Sequence, residues 1–402
     1  MLIPILTVVL GLGALVLLIP CATLGLEVLA AFSARSKDFM PQGGAIGDRE
    51  AIGPVAVLIP AHNESVGIER TLAGLQPQLR PQDRLVVIAD NCSDDTAQVA
   101  TAAGAEVVER FNTSLRGKGY ALDFGLNYLK SAPPSVVILM DADCDTPPGS
   151  LAQLAHHALT QGRPVQANYL IEQPPSQSLK GLISAFAIKV KNLVRPLGLR
   201  RLGAPCLLTG TGIALPWEVA IAVNVASGHI AEDMKWGLDL ALAGHPPTFL
   251  ASAKVTSRLP SDDQAAKTQR TRWEHGHLQI MKEYLPKLFS QGLRRGRLDL
   301  MALGLELSIL PLSLLVMVWA AGTALTLVFA LITQAWLPLA VASLAGLLLF
   351  SAVFLAWARF GRDDISLRQL VMIPLYILWK IPLYIAFLIR PEKQWIRTQR
   401  DK

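Results

Sequence analysis

The sequence predicts an α/β fold with a mostly parallel sheet, set between transmembrane helices at the two ends of the chain, and three observations carry that prediction. Residues 1–26 have no charged side chain, and neither do residues 307–358. Between these runs, from about residue 55 to 160, short β-branched segments alternate with segments of helical apolar spacing. Acidic residues follow three of the β-branched segments.

A chain of 402 residues with 51% hydrophobic and only 17% charged residues is neither a disordered chain nor a coiled coil nor a small disulfide scaffold. A helix needs about 20 apolar residues to cross a bilayer at 1.5 Å per residue. Residues 1–32 therefore read as one anchor. The run is longer than a cleavable signal core of roughly 7 to 15 residues and no basic residue precedes it, so the anchor is expected to be retained. The second charge-free run fits two spans, near 307–331 and 337–358. Residues 369–389 are apolar but contain Lys380, Pro374 and Pro382. A full span there would put the basic tail outside, and a re-entrant or interfacial segment keeps it inside.

The anchor is followed by a Gly/Pro-containing linker, residues 33–52, and then by the polar middle, residues 53–290. Runs at 55–60, 85–90, 105–110 and 136–140 read as strands, and 66–79, 95–103 and 118–129 read as helices. Strand and helix in alternation imply parallel strands joined by right-handed crossovers, with both sheet faces covered. The region after 290 returns to the membrane.

Charge is uneven along the chain. Between Gln173 and Trp217 stand six basic residues (Lys180, Lys189, Lys191, Arg195, Arg200, Arg201) and no acidic one, and the remaining charges balance. Leu179, Leu182, Ile183, Phe186, Val190, Leu193 and Val194 recur there at helical spacing, so a basic amphipathic helix near 177–201 is expected to lie on an anionic membrane surface. An ordinary helix packed on the core is the alternative. No nucleic-acid-binding fold surrounds the basic stretch, so nucleic acid is not an expected partner. Four cysteines without CxxC spacing suit a reducing compartment, without disulfides or zinc.

Ligands of an open parallel sheet bind beyond the carboxyl ends of its strands. Ala61-His62-Asn63-Glu64 follows the first strand, Asp90-Asn91-Cys92-Ser93-Asp94-Asp95 the second and Asp141-Ala142-Asp143-Cys144-Asp145 the fourth. Carboxylates gathered on one edge repel one another unless a cation offsets them, and hard oxygen ligands select magnesium, calcium or manganese. Asp94 or Asp95 is equally suited to capping the next helix. No GxxxxGK[ST] motif occurs, and Gly210-Thr211-Gly212 alone is weak evidence for a dinucleotide. A diphosphate would be held by metal and side-chain cations. Gln269, Arg272 and Trp273, if helical, share one face and offer an amide, a guanidinium and an indole, a set suited to a sugar beside a phosphate. His275 and His277 oppose each other on a helix and read as structural.

Taken in order, Val57 to Glu64, Asp90 to Thr96, Gly117-Lys118-Gly119, Asp141-Ala142-Asp143, Glu232-Asp233 and Gln269-Arg270-Thr271-Arg272-Trp273 resemble the membrane-embedded family 2 glycosyltransferases. Relatives in that family include cellulose, hyaluronan and chitin-oligosaccharide synthases and ceramide glucosyltransferases. The resemblance covers about residues 55–285. It implies a GT-A fold and a nucleotide-sugar donor, usually a UDP-sugar. By the same resemblance Pro60, His62, Glu64, Asp90, Lys118 and Asp141 would contact the donor. Asp143 would ligate a divalent metal, Mg2+ or Mn2+, and Asp233 of the Glu232-Asp233 pair would be the catalytic base. Gln269, Arg272 and Trp273 would hold the diphosphate and the acceptor end. Thr209, Gly210, Thr211 and Gly212 fall where relatives place an acceptor-facing loop, although in a different sequence form.

The expected reaction is a single inverting displacement that moves a sugar onto a lipid-linked or glycan acceptor in bacterial envelope or exopolysaccharide assembly. A processive synthase making a β-linked polymer is the alternative. A glycoside hydrolase needs no metal-diphosphate edge, and a transporter does not explain an acidic edge outside the spans. Arg294, Arg295 and Arg297 before the second span, and Arg359, Arg362 and Arg368 after the third, place the polar middle in the cytoplasm of a multi-pass inner-membrane protein. An oligomer is compatible with this reading.

Overall fold

The computed structural model describes residues 2–40, 52–172, 179–258 and 263–373, with only the backbone described at 263–267. The described residues fall into two compact units, one within 35–172 and 205–276, the other within 2–34, 179–204 and 277–373.

The first of these is an α/β unit. Its described strands are β1 (Val55–Ala61), β2 (Arg84–Asp90), β3 (Glu106–Arg110), β4 (Val136–Leu139), β5 (Val165–Glu172), β6 (Ile213–Pro216) and β7 (Thr248–Arg258). They form one sheet in the order β3-β2-β1-β4-β6-β5-β7. β1 lies parallel between β2 and β4, β2 pairs parallel with β3, and β6 runs antiparallel to β4 and β5. The four sequence-read strands thus fall on β1 to β4 within a residue of their ends.

Alternation along each strand fills both faces. Val55, Val57, Ile59, Val87, Val136 and Ile138 join one core. Ala56, Leu58, Val86, Ile88, Val137 and Leu139 join the other, with Trp217 and Trp236. Burying each such branched side chain contributes roughly 1.5 to 3 kcal/mol, which is why these runs carry no polar face. The helix Lys118–Leu129 comes close to the second face at Gly125, where a Cβ would meet methyl carbons of Leu58 and Ile88 at 2.9 Å. This packing brings the N-terminal end of that helix, Lys118, to the carboxyl edge of the sheet.

The second unit is helical. Three of its described helices are long and apolar enough to cross a membrane: Leu2–Phe32, Leu312–Thr333 and the helix starting at Leu337 and running to Gly361. The span expected near 307–331 starts later than that, at Leu312. Leu307 belongs to a preceding helix, Leu298–Ser308, and the break falls before Pro311, whose ring lacks an N–H and disfavours helix in the residue before it. In the helix beginning at Leu337, a Cβ on Gly346 would lie 2.4 Å from the Trp319 ring. The indole N–H of Trp319 donates to Ala342 O at 2.9 Å, so that glycine lets two apolar helices pack around a satisfied indole. Most of the ambiguous segment 369–389 lies outside the described residues.

The basic stretch has no acidic residue of its own, yet it is supplied with carboxylates by its own unit. Lys189 pairs with Asp364. Arg195 pairs with Glu27 at 3.1 Å and with Glu306 at 2.8 Å. Residues from Asn192 to Leu199 are buried. Gly198 lies so close to the Leu2–Phe32 helix that an added Cβ would fall 2.0 Å from Glu27 O.

Candidate active site

Loops after β1, β2 and β4 meet at one edge of the sheet. After β1 and β2 the chain turns through Asn63 (φ 54°) and Asn91 (φ 51°), left-handed positions that asparagine tolerates by bonding locally. Asn63 Oδ1 accepts the Ser93 N–H at 2.6 Å, and Asn91 Oδ1 accepts the Asn112 N–H at 2.8 Å. His62 shares a hydrogen bond through Nδ1 with Asp90 O at 2.7 Å. Pro60 is half-buried on β1, and the Glu64 N–H donates to Thr96 Oγ1 at 2.8 Å.

Asp94 works as a brace between these loops. It accepts from Ser65 Oγ at 2.8 Å and from Thr96 N at 3.1 Å. Burial works against its charge, but the bonds from Thr96 and Ser65 outweigh it and hold the carboxyl below its usual range. Asp95 occupies the N-cap position of the helix Thr96–Ala102 but makes no side-chain cap bond.

Asp90 is buried and paired. Arg110 Nη1 donates to its Oδ1 at 2.6 Å, and Asn91 Nδ2 donates to the same oxygen at 2.9 Å. Arg110 ends β3, the strand beside β2, and was not singled out from sequence. Parallel order places the ends of adjacent strands side by side, so the strand order is the signal that identifies it.

The loop after β4 carries Asp141, Asp143 and Cys144, whose ligand atoms lie within 4.8 Å of one another. Two carboxylates and a sulfur at that separation fit one divalent cation. The Cys144 thiol is pushed well above its ordinary value by burial and then by the charges of Asp143 and Asp141, so in the free protein it is a neutral neighbour of the carboxylates. Asp145, the next acid, is drawn away to Arg70 at 2.6 Å.

Lys118 joins the groups read separately from the sequence. Its Nζ pairs with Asp141 and donates to Gly210 O at 2.7 Å. Burial pulls the ammonium down, but the charges of Asp141, Glu232 and Asp233 outweigh it and hold Lys118 above its ordinary value. Gly210 in turn donates its N–H to Asp233 Oδ2. Glu232 and Asp233 occupy the first turn of the helix Glu232–Leu242. Burial, and then the neighbouring Asp233, push Glu232 up to about 7. Arg272 opposes that rise, so its guanidinium faces this pair electrostatically. Gln269, Arg272 and Trp273 are half-buried on the helix Asp263–Arg295, so the pentapeptide is helical, which is the condition under which the three share a face. His275 and His277 are both buried on that helix.

The site therefore draws Lys118, Asp141, Gly210, Glu232, Asp233 and the charge of Arg272 into one group. His62 and Asp90 lie at the adjoining strand ends, with Arg110 behind Asp90. Gln166, buried on β5 beneath the Thr209–Gly212 turn, is a second residue that sequence reading did not find. A glutamine between Val165 and Ala167 in a core strand is the available signal.

The chain is 24% identical over 268 residues to the Bacillus subtilis (strain 168) probable glycosyltransferase YdaM, covering 61% of this chain and 60% of that one. It is 30% identical over 109 residues to an undecaprenyl-phosphate 4-deoxy-4-formamido-L-arabinose transferase of Pectobacterium carotovorum, covering 26% of this chain and 33% of that one. Both matches span less than two thirds of the relative's length. Among solved structures, a mannosyltransferase of Pyrobaculum calidifontis in complex with GDP-Man and Mn2+ superposes with a TM-score of 0.49 at 18% identity, covering 84% of this chain and 99% of that one. Residues 53–276, more than half of the chain, match the model of the glycosyltransferase-like family 2, and the chain belongs to that family.

Proposed function

We propose that the protein is an inverting membrane glycosyltransferase that moves a sugar from a nucleotide-sugar, a UDP-sugar by our reading, to a lipid-linked acceptor. The observation that carries this is the chain of contacts Asp141, Lys118, Gly210 and Asp233, which sets a donor-side carboxylate and a candidate base on either side of one glycine. A hydroxyl is a weak nucleophile. A carboxylate that takes its proton during attack on the anomeric carbon typically gains about 10² to 10⁴ in rate.

In this reading Asp233 is the base, with Oδ2 held by the Gly210 N–H and its other oxygen toward the acceptor hydroxyl. Asp90, Asp141, Pro60, His62 and Glu64 form the nucleotide side. Asp143, with Asp141 and Cys144 beside it, fits a divalent metal, Mg2+ or Mn2+, which when bound supplies Lewis-acid stabilisation of the diphosphate. Arg272 and Lys118 add fixed positive charge where the leaving diphosphate gathers negative charge, and Gln269 and Trp273 hold the sugar and acceptor end. One displacement on an α-linked donor yields a β-linked product.

Three apolar helices supply the anchorage to a bilayer, with the α/β unit in the cytoplasm of a bacterial inner membrane. The undecaprenyl-phosphate relative supports a polyisoprenoid acceptor. Among the described residues three helices are candidate spans, a small number to wall a polymer channel within one chain, which favours addition of one or a few sugars over processive synthesis. The test incubates purified protein with a panel of radiolabelled nucleotide-sugars and lipid acceptors, then sizes the product. A short organic-extractable glycolipid supports the proposal, and a high-molecular-weight ladder made without added lipid refutes it.

A further inference from the structure

The turn Thr209–Gly212 was assigned to the acceptor by resemblance, but its bonds run elsewhere. On its inner side lies Gln166, which is 1% exposed. Gln166 Oε1 accepts the Thr209 N–H at 2.7 Å, and Nε2 donates to Thr211 O at 2.9 Å and Ala167 O at 3.1 Å. An unpaired buried amide is costly, and two of the bonds this one makes hold the residues that flank Gly210. Thr211 is itself completely buried. Its Oγ1 accepts the Asp141 N–H at 2.9 Å, and the Gly212 N–H donates to Leu139 O at 2.9 Å. The turn is therefore tied to β4 and β5 on every side but one.

The open side belongs to Gly210. Its N–H goes to Asp233 and its carbonyl to Lys118. Its φ of +66° lies in the left-handed region, and an added Cβ would sit 3.9 Å from both Asp141 Oδ2 and Asp233 Oδ2. A Cβ there would touch both carboxylates at ordinary contact distance, while the positive φ would strain any residue but glycine. We propose that the Thr209–Gly212 turn is the element that positions Asp233, and that Gln166, behind the turn, is a positioning residue acting on the base through the Gly210 peptide. The inference deepens the assignment of Asp233 as base and rests on it.

The experiment is a double-mutant cycle on the full chain in detergent, with turnover measured at saturating donor and UDP affinity measured by calorimetry. Gln166→Met lowers kcat by about 10-fold or more while the UDP Kd stays within about 2-fold, because the side chain touches the turn and not the nucleotide. In an Asp233→Asn background the same change costs less than about 2-fold, since the carboxylate it orients is gone. If Gln166→Met loses cooperative unfolding, Gly210→Ala carries the same cycle from the open side of the turn. Equal losses in both backgrounds, or a rise in acceptor KM with kcat unchanged, overturn the inference and return the turn to acceptor binding. Asp233→Asn alone with turnover near wild type removes the base assignment itself, and the inference falls with it.

Discussion

Arg195 meets Glu27 at 3.1 Å in the helical unit, with side-chain exposures of 5% and 1%, so an ion pair of the basic stretch is closed by a carboxylate inside the first apolar helix. Glu306 completes the group at 2.8 Å from the same guanidinium. Two buried carboxylates share one cation. Removing that cation leaves both acids desolvated with nothing to offset them, whereas replacing all three by apolar groups removes the cost with the charges.

Arg195→Met should therefore destabilise the protein by about 3 to 5 kcal/mol, and Glu27→Leu/Arg195→Met/Glu306→Leu should recover most of that loss. Thermal unfolding in one detergent is the measurement. A single mutant with wild-type Tm would show that the cluster contributes nothing.

Asp233→Asn preserves shape but cannot accept a proton. Turnover should fall by at least about 100-fold while UDP affinity persists. Should turnover hold within a few-fold, Glu232, which burial already pushes up to about 7, becomes the candidate base.

Asp143→Asn should abolish transfer and leave Tm nearly unchanged, because its side chain is only half-buried and, in our proposal, serves a metal and not the core. Chelation should act on the wild-type protein in the same way, and reversibly. Full activity in excess EDTA would end the metal assignment.

Orientation can be read from cysteines. Cys144 and Cys206 are buried and Cys92 is half-buried. A membrane-impermeant maleimide should label none of them in intact cells, Cys92 after permeabilisation and the other two only after unfolding. Labelling of Cys92 in intact cells would place the α/β unit outside.

His277 sets an acid limit on stability. Burial, and then the charges of Lys191 and Arg195, lower it to about 3 from an ordinary value of 6.5. The unfolded chain takes up a proton below pH 6.5 that the folded chain refuses until about pH 3, so stability is lost as pH falls across that window. His277→Gln should flatten the decline in Tm between pH 6.5 and 4. An unchanged slope would assign the acid sensitivity to other groups.

Strand alternation from Val55 to Leu139, the two charge-free runs, and the acidic residues after β1, β2 and β4 were all legible in the sequence. Each rests on a local rule: period-two burial, length against bilayer thickness, and the position of loops relative to strand ends. The helical face of Gln269, Arg272 and Trp273 was legible for the same reason. Long-range pairing was not. Arg195 has no acidic neighbour in sequence, yet Glu27 and Glu306 lie 168 and 111 positions away and meet it only through packing of separate helices. Arg110 became a partner of Asp90 because the strand order sets β3 beside β2. Gln166 and Lys118 converge on Gly210 from a strand and a helix that share no local pattern with it. Sequence by itself determined which residue types lined up along each element. Tertiary structure alone decided which of them touch, because a hydrogen bond or ion pair is set by distances of about 3 Å that no periodicity along one chain segment encodes.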